Sequence, residues 1–391
     1  MRGKTGLALA TAGLLLVILA LVAPQPRAPS AAAETGATVE RRAQPEVEGL
    51  LLVYVNGELR YSGKVHSFLK PAPSLLALGL FPTSGFQSAT VSFYAERPST
   101  WTTELGGDTL TETFFYTMGA PGCSGCVRYS VWGSLWDIGP LLLIYDTKGS
   151  KWTEVSLSTT PSITSNATGI LLSISGSVTP SLTAATNVSM IRLVRPTVLS
   201  PIANAATCAV RMAEDTISPA IAVNPGDSLT VVYQFYFKAD QIFTENWAKV
   251  FFAWLYNVPG AKVGVTATDG TTDYINPRSP YFISPANNTP VNSYIVVGNG
   301  QATFSRTAYK VVSEVARAEP SVQVYGGGVS LSYAFTFSQD TTITELAVYV
   351  KLLSGKEVML LYYVLPQPAV AKAGVPFTVT FRINLPYQDR V

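Results

Sequence analysis

LTVVYQFYF, residues 229–237, is the stretch on which the reading of this chain turns. Leu229, Val231, Tyr233, Phe235 and Phe237 fall on one side of a two-residue period, with Thr230 and Gln234 opposite, which is the pattern of a half-buried strand. A different period begins at once in TENWAKVFFAWLYN, residues 244–257. Phe243, Trp247, Phe251, Trp254 and Val258 recur at intervals of three or four. Thr244 is placed to cap the N-terminus and Pro259-Gly260 supplies a stop, so a short amphipathic helix is expected. The strand is expected to close one structural unit and, together with the helix, to open a second.

Three further matches, in the same order along the chain, support two similar units. PAIAVNPGDSLTVVYQF (219–235) aligns with PAVAKAGVPFTVTFRI (368–383) with one residue of slip, so that Gly226 meets Gly374 and Leu229-Thr230-Val231 meets Phe377-Thr378-Val379. NVSMIRLV (187–194) meets TITELAVY (342–349), and Leu172-Ser173-Ile174 meets Leu331-Ser332-Tyr333. Further up, Val53-Tyr54-Val55, Ser67-Phe68 and the apolar run 75–81 parallel Val231-Val232-Tyr233, Ile242-Phe243 and 250–256. A tandem duplication accounts for this ordered set.

The layout also resembles a known kind of domain. An opening strand with Asn-Gly, a Ser-Phe step into a short helix, YIVVGNG (294–300), ITELAVYV (343–350) and the closing PAVAKAGVPFTVTFRI are similar to a loosely defined β-sandwich domain of uncharacterised archaeal surface proteins and tailed-virus structural proteins. The resemblance covers mainly the second half and implies a structural, non-catalytic role without site residues. The first half departs from it in the long stretch 101–152.

Residues 1–33 read as a targeting segment: Arg2 and Lys4 precede an uncharged run from Leu7 to Ala23, which breaks at Pro24, Pro26 and Pro29. Cleavage after Ala31-Ala32-Ala33, retention of residues 7–23 as a single-pass anchor, and pilin-like processing at Gly6-Leu7 are the alternatives. Residues 34–48 are polar and read as a flexible lead. From residue 49 the chain is dense in Thr, Ser, Val and Tyr, and Asn56-Gly57 between apolar runs is a strong hairpin signal. The expected fold is therefore all-β, with two tandem β-sandwich-like units over 49–238 and 239–391 and one short helix near the start of the second.

Charged residues make up only 13% of the chain, about half the usual fraction of ~25% for globular domains. The missing charge points to surfaces covered by partner subunits or glycans. Residues 1–33 contain Arg2, Lys4 and Arg27 and no acid, which leaves 24 basic against 25 acidic residues. Such a near-neutral chain with no Lys/Arg stripe is unsuited to nucleic acid.

No catalytic, cofactor or metal site emerges. His66 is the sole histidine, and without a nucleophile-elbow motif it reads as a strand-end residue beside Phe68. Paired carboxylates for glycoside hydrolysis cannot be picked out among scattered acids such as Glu214 and Asp215. Cys123 and Cys126 form a CxxC that reads as a local disulfide in an exported protein, against zinc, which would need Cys208 and His66 to converge, or free thiols. Asn166, Asn187 and Asn287 head sequons and are candidate glycan sites. Asp269-Gly270-Thr271-Thr272-Asp273 reads as a hairpin turn rather than a calcium loop, and Gly298-Asn299-Gly300 lacks the makings of a phosphate loop.

These features imply an extracellular, non-enzymatic structural protein of the cell surface, self-associating or joined to other surface proteins, such as a filament or surface-layer subunit. The strand Leu50, Leu51, Leu52, Val53, Tyr54 and Val55, following a flexible lead, is the candidate for assembly by strand exchange with a neighbour. The rival readings are a virion structural protein and a carbohydrate-binding or adhesion module, the latter drawing on Trp101, Trp132, Trp136 and Trp152.

Overall fold

Alternating burial carries most of the structure. The computed structural model describes residues 36–43, 47–65, 68–69, 81, 83, 87–96, 109–116, 141–149, 151–156, 162–165, 169–198, 207–238, 242–256, 262–275, 288, 290–325, 328–384 and 387–388. The chain opens with β1 (Thr38–Ala43), β2 (Val47–Val55), β3 (Glu58–Val65), β4 (Phe68–Leu69), β5 (Gln87–Glu96) and β6 (Thr109–Tyr116). A first run of seven follows: β7 (Leu141–Asp146), β8 (Lys151–Ser156), β9 (Ser162–Ser165), β10 (Gly169–Val178), β11 (Thr186–Val198), β12 (Thr207–Val223) and β13 (Leu229–Lys238). Next come the helix α1 (Glu245–Tyr256) and the hairpin β14 (Val263–Thr266) and β15 (Thr272–Ile275). A second run of seven is β16 (Pro290–Gly298), β17 (Glu314–Ala318), β18 (Ser321–Tyr325), β19 (Gly328–Phe335), β20 (Thr341–Leu352), β21 (Glu357–Ala371) and β22 (Phe377–Asn384), and β23 (Tyr387–Gln388) ends it. The architecture is all-β and sandwich-like, with one helix among the described residues.

The two runs of seven pair in the same order. In the first, β9-β10-β13 are neighbours in one sheet and β8-β7-β11-β12 in another; in the second, β18-β19-β22 and β17-β16-β20-β21 take the same places. The matches of 219–235 with 368–383, 187–194 with 342–349 and 172–174 with 331–333 fall on equivalent strands, β12 with β21, β13 with β22, β11 with β20 and β10 with β19. The match of 53–55 with 231–233 instead sets β2 on β13, its neighbour in one sheet, and residues 75–80 lie outside the described residues. Gly226 and Gly374, aligned by sequence, both take a positive φ, 87° and 71°, in the turns that lead into β13 and β22. With Leu172 set on Leu331, the two ladders differ by two residues: Leu229 faces Val178, whereas Phe377 faces Phe335. An even offset leaves the same side of each strand facing the core. Accordingly Leu229, Val231, Tyr233 and Phe235 are buried, and so are Phe377, Val379, Phe381 and Ile383.

The strand beside the seventh differs in origin between the halves. Next to β13 lies β2, antiparallel, with Val55 opposite Leu229, and β2 in turn pairs with β3 through the Asn56-Gly57 turn. Next to β22 lies β1, parallel, with Thr38 opposite Thr378. This corrects two expectations. β13 pairs with β2 and β10 and opens no second sheet among the described residues. The 34–48 lead, read as flexible from its polar composition, contributes a strand, because an edge strand needs little more than its backbone N–H and C=O groups and an occasional inward side chain.

Helix α1 joins the sheets. Thr244 caps it as expected: its Oγ1 accepts from Trp247 N at 3.2 Å and donates to the Met359 and Leu360 carbonyls at 2.8 and 2.9 Å. Trp247 stacks near Phe81, centroids 5.9 Å apart, and Phe251 meets Phe237 edge-on at 5.1 Å. Trp247 and Phe251 therefore belong to the same buried cluster as Val231 of the first run and Val379 of the second.

Candidate functional site

The polar groups with most structure around them are two buried carboxylates, one in each half. In the first half, β12 carries Asp215, 2% exposed, whose Oδ2 accepts from the Tyr233 hydroxyl at 2.9 Å. Burial, then the Asp215 charge, pushes the Tyr233 phenol well up. Beside it Arg192 Nε donates to Glu214 Oε2 at 2.6 Å, with its guanidinium 4.3 Å from the centroid of the Tyr145 ring.

In the second half Glu345, on β20, is fully buried. Its Oε1 accepts from Gly300 N at 2.9 Å, and its Oε2 from Val312 N at 2.9 Å and the Tyr362 hydroxyl at 2.7 Å. Tyr349 adds a hydroxyl that accepts from Val311 N at 2.7 Å. Burial pushes the phenols of both Tyr349 and Tyr362 up from their ordinary value. Together these bonds clamp the segment 299–313 across the sheet, where Val311 packs with Val296, Ala347, Tyr349, Met359 and Tyr362. Gly300 is required by close approach, since a Cβ there would collide with Glu345 Oε1 and with Val312. The donors consist of backbone amides and a tyrosine, all directed at the carboxylate, so the arrangement positions a loop.

The Asp269–Asp273 turn joins β14 to β15. Asp269 accepts from Thr271 N at 2.9 Å and from Lys356 Nζ; Lys356 and the Thr271 bonds hold its carboxyl well below the usual range. Desolvation pushes the Asp273 carboxyl up, but it is outweighed by bonds from Ser354, the Tyr274 amide and Asn288, and the net shift is downward. These contacts fasten the hairpin to the β20–β21 turn. Among the described residues no three His, Cys, Asp or Glu side chains stand together to hold a metal ion, and no helix is long and apolar enough to cross a membrane.

Of the residues singled out from sequence, Leu50, Leu51, Leu52, Val53, Tyr54 and Val55 lie in β2, inside a sheet of their own chain between β3 and β13, with Leu51, Val53 and Val55 buried. Asn187 is exposed on β11, opposite Ala222, and Ser189 of its sequon donates to the Asp146 carbonyl at 2.7 Å. Trp152 is half-buried against the core. Residues 1–33, His66, Trp101, Cys123, Cys126, Trp132, Trp136, Asn166 and Asn287 lie outside the described residues. Sequence reasoning missed Glu345 as an organising residue; the available signal was a carboxylate inside the otherwise apolar run ITELAVYV. It also missed β1. Compared with family models, curated proteins and solved structures, the chain matches none.

Proposed function

We propose that this chain is a non-enzymatic structural protein of the cell surface, built of two tandem β-sandwich units that arose by duplication, and that it works as a subunit of a filament or surface layer. The observation that carries this reading is the character of the repeated outer sheet faces. In the first run Ser173, Ser175, Ser177 and Thr230 point away from the core, and in the second Ser330, Ser332, Thr378 and Thr380 do the same, with Ser177–Thr230 and Ser332–Thr380 hydroxyls in contact at 2.7 and 2.9 Å. Hydroxyl side chains already bonded to one another cost less to cover than charged ones, and interface centres are depleted of charge for that reason.

The apolar run 7–23 behind Arg2 and Lys4 supports export, with cleavage after Ala33 or retention as an anchor. In an exported protein Cys123 and Cys126 form a local disulfide, and exposed Asn187, with Asn166 and Asn287, carries glycan. The resemblance to archaeal surface and tailed-virus proteins supports a structural role of this kind. Electron microscopy of the native protein from its source tests the proposal. Filaments or ordered layers at the cell envelope are expected; a uniformly monomeric or cytoplasmic protein overturns it.

A further inference from the structure

The groove beside β22 has a docked occupant, and that occupant is attached to the rest of the chain by only three residues, Gln44, Pro45 and Glu46, which separate β1 from β2. β1 holds its place chiefly through the backbone. Six residue pairs run in register from Thr38↔Thr378 to Ala43↔Ile383, and the Ala37 carbonyl accepts from Thr378 N at 2.9 Å. Its side chains contribute little burial: Thr38, Glu40 and Arg42 are exposed, and Val39 and Arg41 are half-buried. Arg41 lies 4.8 Å from the Tyr363 ring centroid, but its buried Nε has no hydrogen-bond partner among the described residues. The remaining tie is at the surface, where Glu40, also paired with Arg42 of its own strand, reaches Arg382 of β22 at 3.3 Å.

Removing β1 would therefore expose the N–H and C=O edge of β22, a strand that buries Phe377, Val379, Phe381 and Ile383, while sacrificing few apolar contacts of its own. Such an edge selects for another strand of the same register. We infer that the β22 edge is a self-recognition site whose occupant in the assembled state is β1, residues 37–43, of a second copy of this chain. The inference rests on the surface-subunit reading above and replaces β2 with β1 as the exchanged strand. Exchange of an identical element costs little, because each bond lost within one molecule is regained between two. Freed from β22, the ten residues 37–46 extend to about 33 Å, enough to reach a neighbouring molecule. Each copy would give one strand and take one; given to one neighbour and taken from another, the contact is heterologous and propagates head to tail, whereas reciprocal exchange closes a dimer.

The test uses the full chain. Two differently tagged copies are co-expressed, one bearing Glu40→Cys and the other Thr380→Cys, positions that face each other across the ladder on its solvent side. Tagged chains without either substitution control for the natural cysteines. The expected result is a disulfide-linked species carrying both tags, together with a ladder of covalent oligomers from a single chain bearing both substitutions. A double variant that closes only on itself at every concentration, with no two-tag species, overturns the inference, and so does the absence of any new disulfide. Polymers seen by microscopy without the two-tag species would refute β1 as the donor and leave the surface-subunit reading standing; monomers throughout would refute both.

Discussion

β2 and β1 fill the same position in the two halves, each lying beside the seventh strand of its run, yet they are secured in different ways. β2 is central, paired on both edges, and buries Leu51, Val53 and Val55 at 1%, 0% and 4% exposure. β1 is an edge strand in which Thr38, Glu40 and Arg42 are exposed and Val39 and Arg41 half-buried, laid parallel to a strand from the far end of the chain. The difference teaches that the repeated unit specifies a slot rather than a particular strand. Where the slot is filled by a hairpin neighbour, burial locks it; where it is filled from a distance, the backbone ladder does most of the holding, helped by half-buried Val39 and Arg41 and by the Glu40–Arg382 pair.

The strongest way to break the comparison is at α1, which packs against elements of both runs. Phe251→Asp places a carboxylate in the cluster shared by Phe237 and Trp247. A loss of several kcal/mol is expected, comparable with the ~5–15 kcal/mol stability of a domain, and calorimetry should show no cooperative transition for the second run. An unchanged melting curve would mean that the halves do not depend on this joint.

Paired truncations in the two equivalent strands sharpen the contrast. Leu51→Ala in β2 should cost about 2–5 kcal/mol in denaturant unfolding, and Val39→Ala in β1 about 1 kcal/mol or less, given its partial burial. Equal losses would mean that β1 is anchored as firmly as β2 and would remove the physical basis for exchange.

A smaller effect is expected at the carboxylate that only the second half uses as a loop clamp. Glu345→Gln keeps the size but turns a side-chain NH2 toward backbone N–H donors, at a cost of about 1–3 kcal/mol. Hydrogen exchange should accelerate at the Gly300 and Val312 amides while β10–β13 amides keep their protection. Uniform acceleration in both halves would show that the clamp supports the whole fold.

The smallest effect is on acid stability. Asp227, Asp269, Asp273 and Asp340 all have carboxyls held below their unfolded value of 3.8. The unfolded chain thus takes up protons first as the pH falls, and their stabilisation is complete above the unfolded value and lost below it. The melting temperature should stay level from pH 7 to about 5 and decline below about 4. Glu40 in β1 and Glu48 in β2 are held below their ordinary value as well, so carboxyls of both halves contribute to the acid transition. A melting temperature that rose on acidification would contradict the arrangement of these bonds.

Local chemistry makes much of this chain legible from its residues alone. The alternation in 229–237 dictates which side of β13 is buried; Thr244 and the spacing of Trp247 and Phe251 define α1; Asn56-Gly57 and Asp269-Gly270 define their hairpins; and the match of Gly226 with Gly374 marks turns that need a positive φ. Each of these is settled by interactions among residues within a few positions of one another. What tertiary structure alone decided is pairing across distance. Nothing in Thr38–Ala43, with its Glu40-Arg41-Arg42, announces a strand, because its partner lies about 340 residues away and supplies the backbone bonds that its own composition does not call for. Leu50 to Val55 reads as free to leave because it follows a polar lead, yet burial against β13 holds it in its own sheet. Glu345 reads as an ordinary charge on a strand until Gly300, Val312 and Tyr362 converge on it. Periodicity reports which face of a strand is buried, whereas the identity of its neighbours depends on how the whole chain closes.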